Sequence, residues 1–375
     1  MLCLLAVGLW SLHSFDSAKK NDLSSIASGS GRDPTVDAPS PDMKQVDNSD
    51  LLENIERWHS GVFAGNRDPR QSAQVIEELR KRITEAPSAA SIPAILAFLD
   101  SYKDAETGAS FQVGPDGYLI AAPTFRMILL DLLEKLDGSV AAEYASKIFA
   151  ESRIAGEWTL ALRSQGRHRG VDGARQSSEY RSYVERHLSN NEWLKNPPPG
   201  YLYGFDAAVF LSDGEQAARV MGIHLQNHHP ATNFAARLAL DRMAMDEFPA
   251  VAPAALQAAG NHGDVYEERA LLISRANPLS TIEMEVVREY LLDPAILHDE
   301  KIEFLQSFPN ANLEISHDIL TSKRFFSMAV IREWDRAAAG ILEDWATKPE
   351  MREIATSLKN RVVEIRSFAD AKASN

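Results

Sequence analysis

The chain has 375 residues, of which 45% are hydrophobic, 25% charged and 8% aromatic. That composition is globular and excludes a wholly disordered or collagen-like chain. A formal net charge of -14 argues against nucleic acid as a partner, because phosphate backbones are bound by clustered Lys and Arg, and a single Cys excludes an intramolecular disulfide or a Cys-rich zinc site.

Residues 1–15 open with an apolar run from Leu2 to Leu12. The run has the length of a secretory hydrophobic region, about 7–15 residues, and is short for a membrane span of about 20. No Lys or Arg precedes it, no small-x-small cleavage site follows it, and Leu2 stands where a lipoprotein signal ahead of Cys3 needs a small residue. The expectation is a signal or membrane anchor, with a basic stretch upstream of Met1. Residues 16–50 are rich in Ser, Asp, Gly and Pro, with seven Asp against four Lys and Arg. Such a segment buries too little surface to offset its ordering entropy and reads as a disordered linker. Apolar segment, polar linker and folded body together point to the cell envelope, exported or membrane-anchored. Lys19 and Lys20 pull weakly the other way, toward a cytoplasmic body. A cytosolic helical protein with a misassigned N-terminus is the alternative.

From Leu51 to the C-terminus, apolar residues recur at helical spacing. Asp68-Pro69 marks a helix start, followed by Ile76, Leu79 and Ile83 on one face and a stop at Pro87. Ile92, Ile95, Leu96, Leu99 and Tyr102 mark the next helix. Phe111 to Val113 and Tyr118 to Ile120, joined by Gly114-Pro115-Asp116-Gly117, form the one β-hairpin signal. Thr124 caps the stripe Phe125, Ile128, Leu129, Leu132, Leu133 and Leu136. Asp137-Gly138-Ser139 turns the chain into a returning stripe of Ala141, Tyr144, Ala145, Ile148 and Phe149. Ser212 to Glu215 reads as a capping box whose helix runs toward a stop at Pro230, and Thr232 starts the next. Asp264 and Glu267 cap another. Ser280 and Glu283 form a second box, broken by Asp293-Pro294. Ile302 and Leu305 carry a short helix, Phe326 to Ile341 a longer one, and Pro349 to Phe368 the last.

The fold class expected is therefore all-α: irregular stacked helix hairpins, an α-solenoid or α-α superhelix, with one small β-hairpin near 111–120. Residues 51–375 form the helical domain, with a subdivision possible near 166–176. Stacking suits a body this long, because each helix pair then buries its faces against its neighbours. Asn277 to Asn310 reads capped helix, Asp-Pro break, short helix, Pro exit, and resembles an irregular HEAT-like unit. The resemblance covers Thr124 to Ser322. It implies an extended surface for protein partners.

Catalytic motifs are sparse. Gly-x-Ser-x-Gly is absent, Ser17-x-x-Lys20 lies in the linker, Cys3 lies in the apolar segment, and Gly29-Ser30-Gly31 is not followed by Lys-Ser/Thr. His224 and His228 share a helix face at i and i+4, so they, with His262 or Asp264, are the candidate metal ligands. Otherwise no cofactor is expected. Tyr201, Tyr203 and Phe205 follow Pro197-Pro198-Pro199 and would make a binding patch if exposed. Arg163, Arg167, Arg169 and Arg175 mark a basic, Gly-rich loop able to receive a carboxylate or phosphate. Together these readings favour a non-enzymatic, envelope-tethered interaction module with a protein partner and a membrane link through the N-terminal segment. The alternative is a hydrolase or ligand-binding protein with an inter-helix pocket.

Overall fold

The computed structural model describes residues 48–63, 69–226, 229–260, 265–311, 318–321 and 326–373. The apolar segment 1–15 and the linker as far as residue 47 lie outside them, as do Asp68, His228, His262 and Asp264. The described residues belong to one packed unit spanning 46–375. They are all-α apart from one hairpin, as the patterning predicts.

In chain order, α1 (Asn48–Phe63), α2 (Pro69–Glu85) and α3 (Ser88–Asp100) lead into β1 (Gln112–Val113) and β2 (Leu119–Ala121). Ile76, Leu79 and Ile83 are buried, while Pro87 starts α3 as much as it ends α2. Tyr102 departs from its expected stripe. It leaves α3 in the left-handed region (φ 55) and is exposed. The hairpin pairs Gln112 with Ala121 and Val113 with Leu119 across a bulge. Gly117 sits at φ 76 in its turn, where a side chain would collide with the Arg167 guanidinium.

Next come α4 (Phe125–Leu136), α5 (Gly138–Glu151) and α6 (Ala155–Gln176). Thr124 accepts from the Met127 amide, and Asp137 from the Ser139 and Val140 amides, so both predicted caps form. α4 carries buried residues from Phe125 to Glu134 without interruption, and α6 from Ala155 to Gly166. A helix buried on every side is central to its fold. The stretch expected as a basic loop is thus a correction: Arg163 to Arg175 lies within α6, kinked only at Gly170 (φ 67, ψ 170).

α7 (Ser178–Leu188), α8 (Asn191–Lys195), a 3-10 turn (Tyr201–Gly204) and α9 (Phe205–Leu211) follow. α10 (Gly214–Leu225) is capped by Asp213, one residue later than expected, because Ser212 closes α9 in a left-handed conformation (φ 40). α11 (Pro230–Ala259) begins at Pro230 itself, capped by His229, so Pro230 opens a helix instead of stopping one. It breaks at Glu247 (φ -143, ψ 53), two residues before Pro249, which cannot donate and crowds the preceding turn.

The C-terminal part comprises α12 (Tyr266–Ile273), α13 (Thr281–Leu292), α14 (His298–Ser307), α15 (Met328–Trp345) and α16 (Ala355–Ala373). Ser280 caps α13, but Glu283 reaches back to the Asn277 amide (2.7 Å) instead of closing the box on Ser280. One contiguous apolar core runs from Leu51 in α1 to Ile365 in α16. A separate small cluster of Ala311, Ile331 and Trp334, with Met245, Phe326 and Val330, holds the start of α15.

Candidate functional site

The expected aromatic patch is not on the surface. Tyr201 is 0% exposed and Phe205 is also buried. The Tyr201 hydroxyl donates to the Leu188 carbonyl (3.2 Å), and its ring packs against His187, Trp193 and Phe205. Tyr203 is half-buried, stacks at 5.0 Å on Phe111 and donates to its carbonyl (3.4 Å). The segment after Pro197–Pro199 folds inward because its rings complete an aromatic box around His187. Burial pushes that imidazole down to about 4.

The arginines are committed internally as well. Arg163 pairs with Asp131 (2.8 Å) and Glu134 (2.8 Å) in a fully buried cluster and donates to the Gly117 carbonyl (2.9 Å). Arg167 pairs with Glu134 (3.2 Å) and donates to the carbonyls of Asp116 (3.1 Å) and Ile319 (2.9 Å). Both guanidinium groups stack on Tyr118, at 4.9 and 4.4 Å from its ring centre. Arg169 meets Glu179 (3.0 Å) and Gln165 (2.9 Å). These charges are therefore spent on the fold and are not held out for an anion.

His224 is the one predicted ligand within the described residues. It contacts the Asn233 carbonyl (3.3 Å) and lies 3.9 Å from Glu268, whose carboxyl it holds below the usual carboxylate range. Among the described residues no cluster of three or more His, Cys, Asp or Glu is placed to hold a metal ion.

His224 instead lines a cavity of about 180 Å³ between α10, α11 and α12. Its walls are apolar where Met221, Leu238 and Leu271 face inward. Its floor is closed by Arg275, which grips Asp241 with two nitrogens (2.5 and 2.7 Å) and donates to the Asn310 carbonyl (2.9 Å). Phe234 stands at the mouth, 65% exposed. Arg237, one helical turn on from Phe234, lies on the same side of α11. An apolar concavity with a few convergent polar groups and an exposed aromatic at its rim is suited to receive an apolar group and offers no evident nucleophile. Sequence reasoning missed this site. The available signal was Phe234 itself, an aromatic residue one position off the stripe Ala235, Leu238, Ala239 and Met243.

Comparison with known proteins adds no name: no protein family, no curated protein and no solved structure matches the chain.

Proposed function

We propose that the helical body is a non-enzymatic interaction module that takes an apolar side chain of a protein partner into the α10–α12 groove. The observation that carries this reading is Phe234, a large aromatic left 65% exposed over an apolar cavity. Burying such a ring is worth about 1.5–3 kcal/mol, and interface hot spots are built this way. The pairing of α4 with α5, α5 with α6, α10 with α11 and α15 with α16 supports stacked helix hairpins, an irregular α-solenoid, as the platform. The apolar residues 2–12 and the polar linker after them support attachment at the cell envelope.

The test is a cross-linked pull-down of the tagged full-length chain from its own cells, membrane and soluble fractions kept apart, with Phe234→Ala alongside. A partner recovered from the membrane fraction with wild type and lost with Phe234→Ala, at unchanged melting temperature, is the expected result. Equal recovery with both proteins, or none with either, overturns the reading. His224 and Glu268 on the groove wall favour a second use of the same site, as a small-ligand pocket with a metal ion. Near-stoichiometric metal in the purified protein, lost in His224→Ala, would establish that use instead.

A further inference from the structure

Residues Asp318, Ile319, Leu320 and Thr321 cross the face formed by α6, α9 and α11, and are held there by charged side chains. Ile319 is 0% exposed. The Asp206 carboxylate of α9 accepts from the Leu320 amide (2.7 Å), the Thr321 amide (3.0 Å) and the Thr321 hydroxyl (2.7 Å). Arg167 of α6 donates to the Ile319 carbonyl (2.9 Å). Arg242 of α11 donates to Asp206 and Thr321 with one terminal nitrogen and to Asp318 with the other (3.1 Å). A side chain at Gly117 would meet the Ile319 carbonyl at 2.9 Å, so the hairpin turn also lies against this segment.

The charges here do not balance. Arg163 and Arg167 answer Asp131 and Glu134. Arg242 alone answers both Asp206 and Asp318. One carboxylate is left over in a largely dry site, and burying an uncompensated charge is costly. Asp206 has four donors and is fully buried, so its ionised form is well served. Asp318 has only its share of Arg242, and its side chain is 26% exposed. The half-buried Tyr203 phenol also faces Asp318 and offers no positive charge.

We propose that residues 318–321 form a proton-controlled strap, which sits closed while Asp318 carries a proton and loosens when Asp318 ionises. Burial and the Asp206 charge push the Asp318 carboxyl up to about 7, against the ordinary 3.8. The sign follows from linkage. The open strap sheds its proton above pH 3.8 and the closed strap keeps it until about pH 7, so the closed form has its full advantage below pH 3.8 and has lost it by about pH 7. Opening therefore becomes easier by up to tenfold per pH unit across that window, and levels off above it. The strap would tighten on moving from a neutral to an acidic compartment.

The experiment is amide hydrogen exchange at Leu320 and Thr321 on the full-length chain, expressed as protection factors to remove the intrinsic pH dependence. Wild type should lose at least tenfold protection between pH 5 and pH 7. Asp318→Asn, nearly isosteric and uncharged, should hold its protection level over the same range. Equal losses in both proteins, or no loss in wild type, overturn the proposal. Carbon-13 NMR of the Asp318 carboxyl in unmutated protein reads the same proton directly, so a variant that fails to fold does not end the test. Titration close to pH 7 supports the strap, and titration below pH 5 overturns it.

Discussion

Arg163 in α6 and Arg366 in α16 each hold a glutamate, at 2.8 and 2.6 Å, and the two pairs carry different weight. Arg163 and Glu134 are sealed among α4, α6 and the hairpin, where removing one partner strands the other in a low-dielectric interior. Arg366 and Glu343 are exposed, and water replaces whichever is removed. The surrounding regions differ in the same way. The α4–α6 hub is fixed by buried charge and directed hydrogen bonds. The α15–α16 hairpin is fixed by apolar interlock, with α15 attached at its start through the Trp334 cluster. Short ion-pair distances therefore say little about stability until burial is known.

The sharpest way to break this contrast is at its centre. Arg163→Met should destabilise the protein by about 3–5 kcal/mol in urea unfolding, because Asp131 and Glu134 lose their shared cation. A cost below about 1 kcal/mol would mean that the hub tolerates unpaired carboxylates. Trp334→Ala should cost about 3 kcal/mol, at the low end for a large core aromatic, with the exchange of α15 amides rising before that of α4. Uniform loss across both would show the hairpin to be inseparable from the hub.

His187 sharpens the comparison through pH. Its buried ring is neutral in the folded protein down to about 4 and takes a proton at 6.5 when unfolded. The hub's stability should thus be complete above pH 6.5 and fall as acid drives the ring through its folded value, by about 1.4 kcal/mol per pH unit in between. NMR titration of the ring checks this, and protonation near pH 6.5 in the native state would refute it. Smaller still are the two caps. Thr124→Ala at α4 and Ser327→Ala at α15 each remove one hydroxyl acceptor, worth about 1 kcal/mol. The first should lower global stability and the second should speed exchange only within α15. Glu343→Gln should leave the melting temperature unchanged.

What was legible in the chain was local. The stripes of α4 and α5, their caps at Thr124 and Asp137, and the hairpin around Gly117 rest on neighbours within a few positions, and they form as patterned. The misread places depend on distant residues. Arg163 to Arg175 looks like a loop because its glycines and arginines disfavour a buried helix. It is a helix because Asp131 and Glu134, some 30 residues earlier, neutralise it from α4 and because Tyr118 supplies a ring for its guanidinium groups. Tyr201 looks exposed because it follows three prolines. It is buried because His187, Trp158 and Trp193 leave a ring-sized space. The groove was invisible for the same reason, since α12 completes it from beyond the end of α11.

Arg167 and Ile319 are 152 residues apart in the chain, and Asp206 and Thr321 are 115 apart. Contacts of such separation form late, because a long loop must close before they form. On the ribosome, α6, α9 and α11 are all available before residue 318 emerges, and N-terminal parts generally fold first. Until then Asp206 faces an open slot with Arg242 as its main partner, and the hub is assembled but incomplete. Seating of Asp318–Thr321 is thus a completion step. A nascent or truncated chain that stops short of it would be helical over most of its length, yet distinguishable from a finished molecule by an unfilled acidic slot on its α6–α9 face.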